Sequence, residues 1–251
     1  MKRLNVVVVG TGMYVCGRGT DGFGTIMPAI NEYGRSEGIG KVSIAGRSRS
    51  GAIAAKKKIA ALNKAMGVNA DIEYYPARGD DPKSYIKAMK DMPKPACAII
   101  AVPDDRHKEV ASAAMRNGLH ALVVKPLVPT VKEAKELVDL QRRNGLYGAV
   151  ELHKRYDAAN LKLKEAVLGG AIGDPLYFVV EFSQRKNIPE KIFRKWAART
   201  NIFQYLGIHY VDMVYFVTGA SPVRAMAVGQ KRWLRLKGVD TYDAIEAFIE
   251  W

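Results

Sequence analysis

The stretch from residue 96 to residue 126 constrains the fold more than any other part of the chain. It reads as a short apolar run, a polar turn, a helical pattern, a second apolar run and then the pair Lys125-Pro126. Proline disfavours helical backbone at the preceding residue, so we expect Lys125 to be extended at the carboxyl end of a strand over 121–124. Ligands bind at that end of an open parallel sheet. The pattern therefore predicts a functional Lys125, with a solvated strand-end lysine as the alternative.

The alternation of strands and helices continues beyond this stretch. Helix stop signals occur at Asn117-Gly118 and Asn144-Gly145, and Thr130 with Glu133 forms a capping box that opens the helix between them. Short apolar runs lie before, between and after these helices. The pattern predicts an α/β fold with a doubly wound parallel sheet covered on both faces.

The amino terminus carries the beginning of a dinucleotide-binding fingerprint. A β-branched run, Asn5–Val9, is followed at once by Gly10, Thr11 and Gly12. Glycines at these positions permit a tight turn and a close approach of the backbone to a pyrophosphate. Position 15 should hold the third glycine but holds valine, and further glycines follow from 17 to 24. We therefore expect a longer loop that delays the next helix until residues 25–28.

The end of the second predicted strand, over 41–45, indicates which nicotinamide cofactor is bound. A carboxylate at this point would accept a hydrogen bond from a ribose 2′-hydroxyl and would repel a 2′-phosphate. The chain has Arg47 and Ser48 there instead. A forked, permanently charged donor and a hydroxyl suit phosphate, so we predict NADP, with NAD possible. The alternative is a basic loop that leads into a solvated helix.

Five segments resemble the Gfo/Idh/MocA family of oxidoreductases, and together they run along essentially the whole chain. They are VVVVGTG at 6–12, VPDDRH at 102–107, VVKP at 123–126, KRYDAA at 154–159 and GIHYVDMVYFVTGASPVRAMA at 207–227. The resemblance implies a Rossmann dinucleotide-binding domain over 1–152 and an open-sheet α/β domain for substrate binding and oligomerisation over 153–251. It also implies hydride transfer between nicotinamide and a hydroxyl or keto carbon of a sugar, cyclitol or sugar nucleotide.

The resemblance also assigns roles to single residues. Lys125 matches the active-site lysine of the family and His209 its active-site histidine, while Pro103 and His107 match the loop beside the nicotinamide. Tyr205 stands where the family commonly has aspartate. We expect this phenol to donate a proton, which favours ketone reduction. The predicted catalytic set is Lys125, His209 and Tyr205.

A helix predicted from about Asn201 to Gly219 carries Tyr205, His209 and Asp212 at the spacing i, i+4 and i+7. In an α-helix this spacing puts all three on one face. Asp212 is predicted to bind substrate, together with His153 and Arg155, which follow the last Rossmann strand. The alternatives are a structural role for His209 and a solvent-facing position for Asp212.

The charge of the chain is strongly positive, with 39 Lys and Arg against 25 Asp and Glu, a formal net charge of +14. Such a field attracts an anionic cofactor and a phosphorylated or nucleotide-linked sugar. The densest basic cluster, Arg47, Arg49 and the lysines at 56–58, also leaves nucleic-acid binding as an alternative function. No known nucleic-acid-binding motif accompanies the cluster, so the small-molecule interpretation is preferred.

The remaining features exclude some classes of protein and leave one further alternative. Apolar runs stop at strand length and no cluster has metal-ligand spacing, so we expect a cytoplasmic protein without metal or membrane segments. The family resemblance implies a homo-oligomer. The alternating segment 242–251 reads as a strand cut off before its neighbours, so we expect the second domain to be incomplete. The incomplete second domain, and Tyr205 in place of the aspartate of the family, favour the alternative of a cofactor-binding regulator or inactive homologue.

Overall fold

The computed structural model describes residues 3–251, and the chain forms two compact units. The first unit ends at Val150 and the second begins at Glu151.

The first unit is built on a six-stranded sheet with the order β3-β2-β1-β4-β5-β6. The pairs β1 with β2, β1 with β4, β2 with β3 and β4 with β5 are parallel. This order is the one found in doubly wound dinucleotide-binding folds, so the predicted fold class is confirmed. The strands are β1 (Asn5–Val9), β2 (Val42–Ala45), β3 (Ile72–Tyr75), β4 (Ala96–Ile100), β5 (His120–Val124) and β6 (Gly148–Glu151).

Helices cover both faces of this sheet. The first three pack on one face and the next three on the other, each group with its own buried apolar cluster. The helices are α1 (Met13–Cys16), α2 (Ile26–Ser36), α3 (Arg49–Met66), α4 (Ser84–Lys90), α5 (His107–Arg116) and α6 (Val131–Arg143). The predicted cap of α6 is confirmed, because Thr130 Oγ1 accepts from the Glu133 N–H at 3.2 Å.

The valines of β1 explain why an uninterrupted apolar run forms the central strand. Successive side chains of a strand point to opposite faces. Val6 and Val8 pack in the cluster under α1 to α3, whereas Val7 and Val9 pack in the cluster under α4 to α6. All four are buried, so the strand is apolar on both sides.

The predicted long loop lies after a first helical turn and not directly after β1. The single turn of α1 follows Gly12 directly, and α2 begins only at Ile26. Val15, at the position of the missing third glycine, is buried in the core. Gly24 closes the loop with φ +76°, and a β-carbon there would lie 2.6 Å from the carbonyl oxygen of Met13.

The second unit combines helices with a two-stranded antiparallel sheet in which Met226 pairs with Phe248. The strand predicted over 242–251 is observed as β8. A π-helical turn, Phe203–Gly207, leads directly into the helix predicted to end at Gly219. The regular elements are α7 (Ala158–Leu168), α8 (Ile208–Thr218), β7 (Arg224–Gln230), α9 (Trp233–Leu236) and β8 (Ala244–Glu250).

Within residues 3–251, every helix is too short or too polar to cross a bilayer.

We predict that Gly24→Ala destabilises the protein more than Gly67→Ala. Both glycines have positive φ, at +76° and +63°, but a β-carbon on Gly67 meets no atom within 4 Å. Gly67→Ala should therefore cost only the left-handed backbone penalty, about 1 kcal/mol. Gly24→Ala adds overlap with packed backbone, roughly 1 to 3 kcal/mol more. Urea denaturation followed by circular dichroism measures both, and equal losses would contradict the packing of this loop.

Candidate cofactor and catalytic site

The turn after β1 has the geometry of a phosphate-binding turn. Gly10 has φ +136°, and a β-carbon on it would lie 2.4 Å from the carbonyl oxygen of Ala101, just after β4. No side chain fits there. Gly12 is the opposite case, because a β-carbon built on it meets no atom of the described chain within 4 Å. The backbone at Gly12 is thus open to close approach, which fits the pyrophosphate of a dinucleotide.

The end of β2 lies beside this turn. The Thr11 methyl group would be 2.7 Å from a β-carbon on Gly46, so Thr11 packs against the chain where β2 ends. Ser48 is the N-cap of α3, and its Oγ accepts from the Gly51 N–H at 3.1 Å. The first turn of α3 contains no acidic residue, although Asp80 of a neighbouring loop accepts from the Arg49 N–H at 2.9 Å. Arg47 is exposed at this edge.

Lys125 follows β5 directly, as predicted, and is 6% exposed. It is joined to Pro126 by a cis peptide bond. Lys125 therefore lies at the carboxyl end of the same sheet as the Gly10 turn, the edge at which ligands bind in such folds. A buried amine there differs from most lysines of this chain, which are exposed or only partly buried.

His107 holds the loops at this edge together. Its ring is 1% exposed, with Nδ1 2.7 Å from the Pro126 carbonyl oxygen and Nε2 2.9 Å from the Val102 carbonyl oxygen. The side chain thus connects the end of β4, where Pro103 lies, to the segment after β5. These two contacts fix the backbone beside Lys125, and a direct contact of His107 with a cofactor stays a prediction.

Tyr205 does not lie in a regular α-helix. It lies in the π-helical turn Phe203–Gly207, whereas His209 and Asp212 lie in α8, and a shared face for the three side chains stays a prediction. Its ring centroid is 4.9 Å from that of Phe193 and 6.2 Å from that of Trp196. Tyr205 also lines a cavity of about 240 Å³ with Arg185 and Tyr242.

His209, 4% exposed, packs against a second histidine. Its ring centroid lies 4.6 Å from that of His153, at an interplanar angle of 67°. His153 Nδ1 lies 2.8 Å from Glu151 Oε1. The three side chains form a carboxylate, imidazole and imidazole series within the second unit. Sequence analysis did not single out Glu151, since no motif distinguishes it from an ordinary strand-end carboxylate.

Arg155 and Asp212 bind each other. Arg155 Nε donates to Asp212 Oδ2 at 2.8 Å, and Nη2 donates to Oδ1 at 2.5 Å. The guanidinium also lies 5.2 Å from the centroid of the Phe216 ring. Hydrogen bonding to Asp212 raises the pKa of Arg155. Asp212 is largely buried, not solvent-facing, and a substrate contact of either residue stays a prediction.

In the part of the chain that the structure describes, no group of three or more His, Cys, Asp or Glu side chains could hold a metal ion.

The fold and the turn after β1 define a dinucleotide-binding protein, and family profiles agree with this. The profile of an oxidoreductase family with an NAD-binding Rossmann fold, GFO_IDH_MocA, matches residues 4–152. The profile of the GFO/IDH/MocA C-terminal domain matches residues 160–251, so the second domain of the family is represented. The chain belongs to the Gfo/Idh/MocA family of oxidoreductases.

Individual relatives support this assignment. A 1,5-anhydro-D-fructose reductase of Ensifer adhaerens is 26% identical over 56% of this chain and 43% of its own length. A UDP-N-acetylglucosamine 3-dehydrogenase of Acidithiobacillus ferrooxidans is 31% identical over 52% of this chain and 38% of its own. Among solved structures, scyllo-inositol dehydrogenase of Lactobacillus casei superposes with a TM-score of 0.69 at 17% identity, over 99% of this chain and 66% of that one. The chain spans less than two thirds of each relative.

We predict that Arg155 and Asp212 stabilise the second unit as a pair. Arg155→Met or Asp212→Asn leaves one partly buried charged group without its partner, so each should cost about 1 to 3 kcal/mol. The double variant should lose less than the sum of the two. A matched double-mutant cycle on Lys162 and Glu165, an ion pair with both side chains mostly exposed, should give a coupling free energy that is zero within error. Additive losses for Arg155 and Asp212 in urea denaturation would contradict a mutual role.

Proposed function

We propose that this protein is an NAD(P)-dependent oxidoreductase that acts on a hydroxyl or keto carbon of a sugar or cyclitol. The observation that carries the proposal is the buried Lys125 at the sheet edge that also holds the open glycine turn. A structural lysine at a strand end is usually solvated, whereas a buried amine beside a cofactor site suits charge stabilisation. Relatives named as reductases or dehydrogenases of sugars, nucleotide sugars and inositols support the substrate class.

Residues of the first unit would hold the cofactor. The backbone of Gly10, Thr11 and Gly12 would accept the pyrophosphate, and Arg47 with Ser48 would bind a 2′-phosphate. Pro103 would border the nicotinamide, in a loop fixed by His107. When bound, the cofactor supplies or accepts the hydride.

Lys125, His209 and Tyr205 would stabilise the developing charge and transfer the proton. A protonated Lys125 would donate a hydrogen bond to the reacting oxygen and stabilise the negative charge that develops on it, an effect strengthened by burial. His209 would accept or return the hydroxyl proton. The contact from His153 fixes one side of the His209 ring, and Glu151 favours the proton of His153 on Nδ1. Tyr205 is the second candidate donor.

Three residues of the second unit are proposed to bind the substrate. His153, Arg155 and Asp212 remain the candidate substrate ligands. Because Arg155 and Asp212 are paired, we expect them to act chiefly by holding the segment after β6 against α8. The net charge of +14 supports a phosphorylated or nucleotide-linked sugar as substrate.

We predict that NADPH binds more tightly than NADH and that Arg47→Asp reverses this order. Charge-assisted hydrogen bonds contribute about 1.5 to 3 kcal/mol each, so the preference should be roughly tenfold to a hundredfold. Titration of nucleotide fluorescence measures both affinities. Arg35→Asp makes the same charge change on the last turn of α2, and it should leave the preference intact. Equal affinities in the unaltered protein would refute NADP specificity.

We predict that Lys125→Met lowers kcat by roughly a hundredfold to a thousandfold, the effect of losing one preorganised donor, while NADPH affinity barely changes. The assay is reduction of a panel of ketosugars and ketocyclitols. Tyr205→Phe keeps the ring and removes only the hydroxyl. Full activity in Tyr205→Phe with none in His209→Asn would exclude Tyr205 as the proton donor. Unchanged activity in all three variants would remove the catalytic assignment, and a parent that binds NADPH but reduces nothing would favour a regulator.

A further inference from the structure

We propose that Arg18, in the glycine loop 17–24, is a second cation that selects for the 2′-phosphate of NADP. Arg18 is not among the residues that the sequence predicted to bind the cofactor. The inference rests on the proposed function and names a determinant of its cofactor specificity.

The position of the Arg18 guanidinium is defined by its neighbours at the start of α3. Arg18 Nη1 lies 2.9 Å from the point where a β-carbon on Gly51 would be. Ser48 Oγ lies 3.0 Å and Thr11 Oγ1 3.3 Å from the same point. The guanidinium therefore shares the space above the first turn of α3 with the hydroxyl group of Ser48, after β2, and that of Thr11, after β1. Because Gly51 has no side chain, the guanidinium can approach this turn closely.

The loop that carries Arg18 is fastened to α3. Lys58 Nζ donates to the carbonyl oxygen of Thr20 at 2.9 Å and to that of Asp21 at 3.4 Å. The same ammonium lies 5.3 Å from the centroid of the Phe23 ring. Within the loop, Thr20 Oγ1 donates to the Gly17 carbonyl oxygen at 2.9 Å. These contacts hold the loop against the middle of α3 and so carry Arg18 over its beginning.

The chemistry of this cluster suits a dianionic group better than a hydroxyl. The exposed side chains of Arg18 and Arg47 bring two guanidinium groups to the loops at the amino end of α3, with the hydroxyl groups of Ser48 and Ser50 3.2 Å apart at the same point. A phosphate accepts several charge-assisted hydrogen bonds and benefits from the positive end of an 18-residue helix. Asp80, which accepts from the Arg49 N–H, offsets only part of this positive charge. A ribose hydroxyl gains little from two cations.

The location also distinguishes between the two anionic parts of the cofactor. The pyrophosphate is bound by the glycine turn after β1, whereas the ribose 2′ group is bound where β2 ends. Arg18 Nη1 lies at Gly51, in the first turn of α3, and Ser48 Oγ, just after β2, lies 3.0 Å from the same point, whereas Thr11 Oγ1 of the glycine turn lies farther from it, at 3.3 Å. The geometry therefore assigns Arg18 to the 2′ group.

The test measures equilibrium binding of NADPH and NADH to the full chain by nucleotide fluorescence, without any requirement for turnover. Arg18→Ala should weaken NADPH by about tenfold to a hundredfold and leave NADH within about twofold. Arg18→Lys, which keeps the charge and loses the fork, should fall between the parent and Arg18→Ala. Calorimetry with adenosine 2′,5′-bisphosphate and 5′-AMP should reproduce the discrimination, because these probes lack nicotinamide and differ in the 2′-phosphate.

Two further variants test whether the position of Arg18, and not the net charge of the protein, sets the preference for NADPH. Lys58→Met keeps the Arg18 side chain but removes contacts that hold its loop against α3, so it should cause a smaller loss of NADPH affinity with NADH affinity unchanged. Arg35→Ala removes one positive charge from the last turn of α2 and should change neither affinity. A loss of NADPH affinity in Arg35→Ala equal to that in Arg18→Ala would mean that net charge alone sets the preference, which overturns the inference.

The outcomes distinguish failure of this inference from failure of the proposed function. Equal weakening of NADPH and NADH in Arg18→Ala would assign Arg18 to the pyrophosphate or to loop folding, and an unchanged NADPH preference would remove it from the site. Either result overturns the inference while the oxidoreductase proposal stands. A parent protein that binds neither nucleotide overturns the proposed function, and the inference falls with it.

Discussion

The close approach of the chain after β1 to the chain after β4 is the constraint on which the cofactor site depends. β1 is hydrogen-bonded to β2 on one side and β4 on the other, and its valines fill both apolar clusters. The strand therefore has no freedom to shift. At its end only glycine fits, because a β-carbon on Gly10 would overlap the Ala101 carbonyl oxygen. The packing of the central strand therefore fixes the position of the turn that follows it.

Polar groups in each of the two units are held by other protein groups of the same unit. His107 spans the loops after β4 and β5, Ser48 caps α3, and Arg155 is paired with Asp212. Each contact fixes a backbone segment that carries a candidate functional side chain. Such supporting contacts reduce the ordering cost of binding and hold reacting groups in place. These paired residues thus hold backbone segments in place, and only a few other side chains are candidates for catalysis.

Much of the first unit could be predicted from local pattern. The apolar runs, the stop signals after α5 and α6, the Thr130 cap and the late start of α2 all follow from the spacing and type of neighbouring residues. The second unit was less predictable. The π-helical turn before α8 places Tyr205 outside that α-helix, and the Tyr205 ring packs with Phe193 and Trp196. No periodicity in the sequence marks that turn, because it depends on tertiary packing.

The sequence by itself determined the fold class, the glycine turn and the placement of Lys125 at a strand end, since each depends on short-range backbone preferences and on a period of two or 3.6 residues. Only the tertiary structure decided the pairings between distant segments. Arg155 meets Asp212 across 57 positions, and Lys58 meets Thr20 across 38. Arg18 comes to the start of α3 in the same way. Hydrogen bonds and ion pairs leave no periodic trace in one sequence, because many polar residues are chemically able to make them and the packing of the core chooses which ones do.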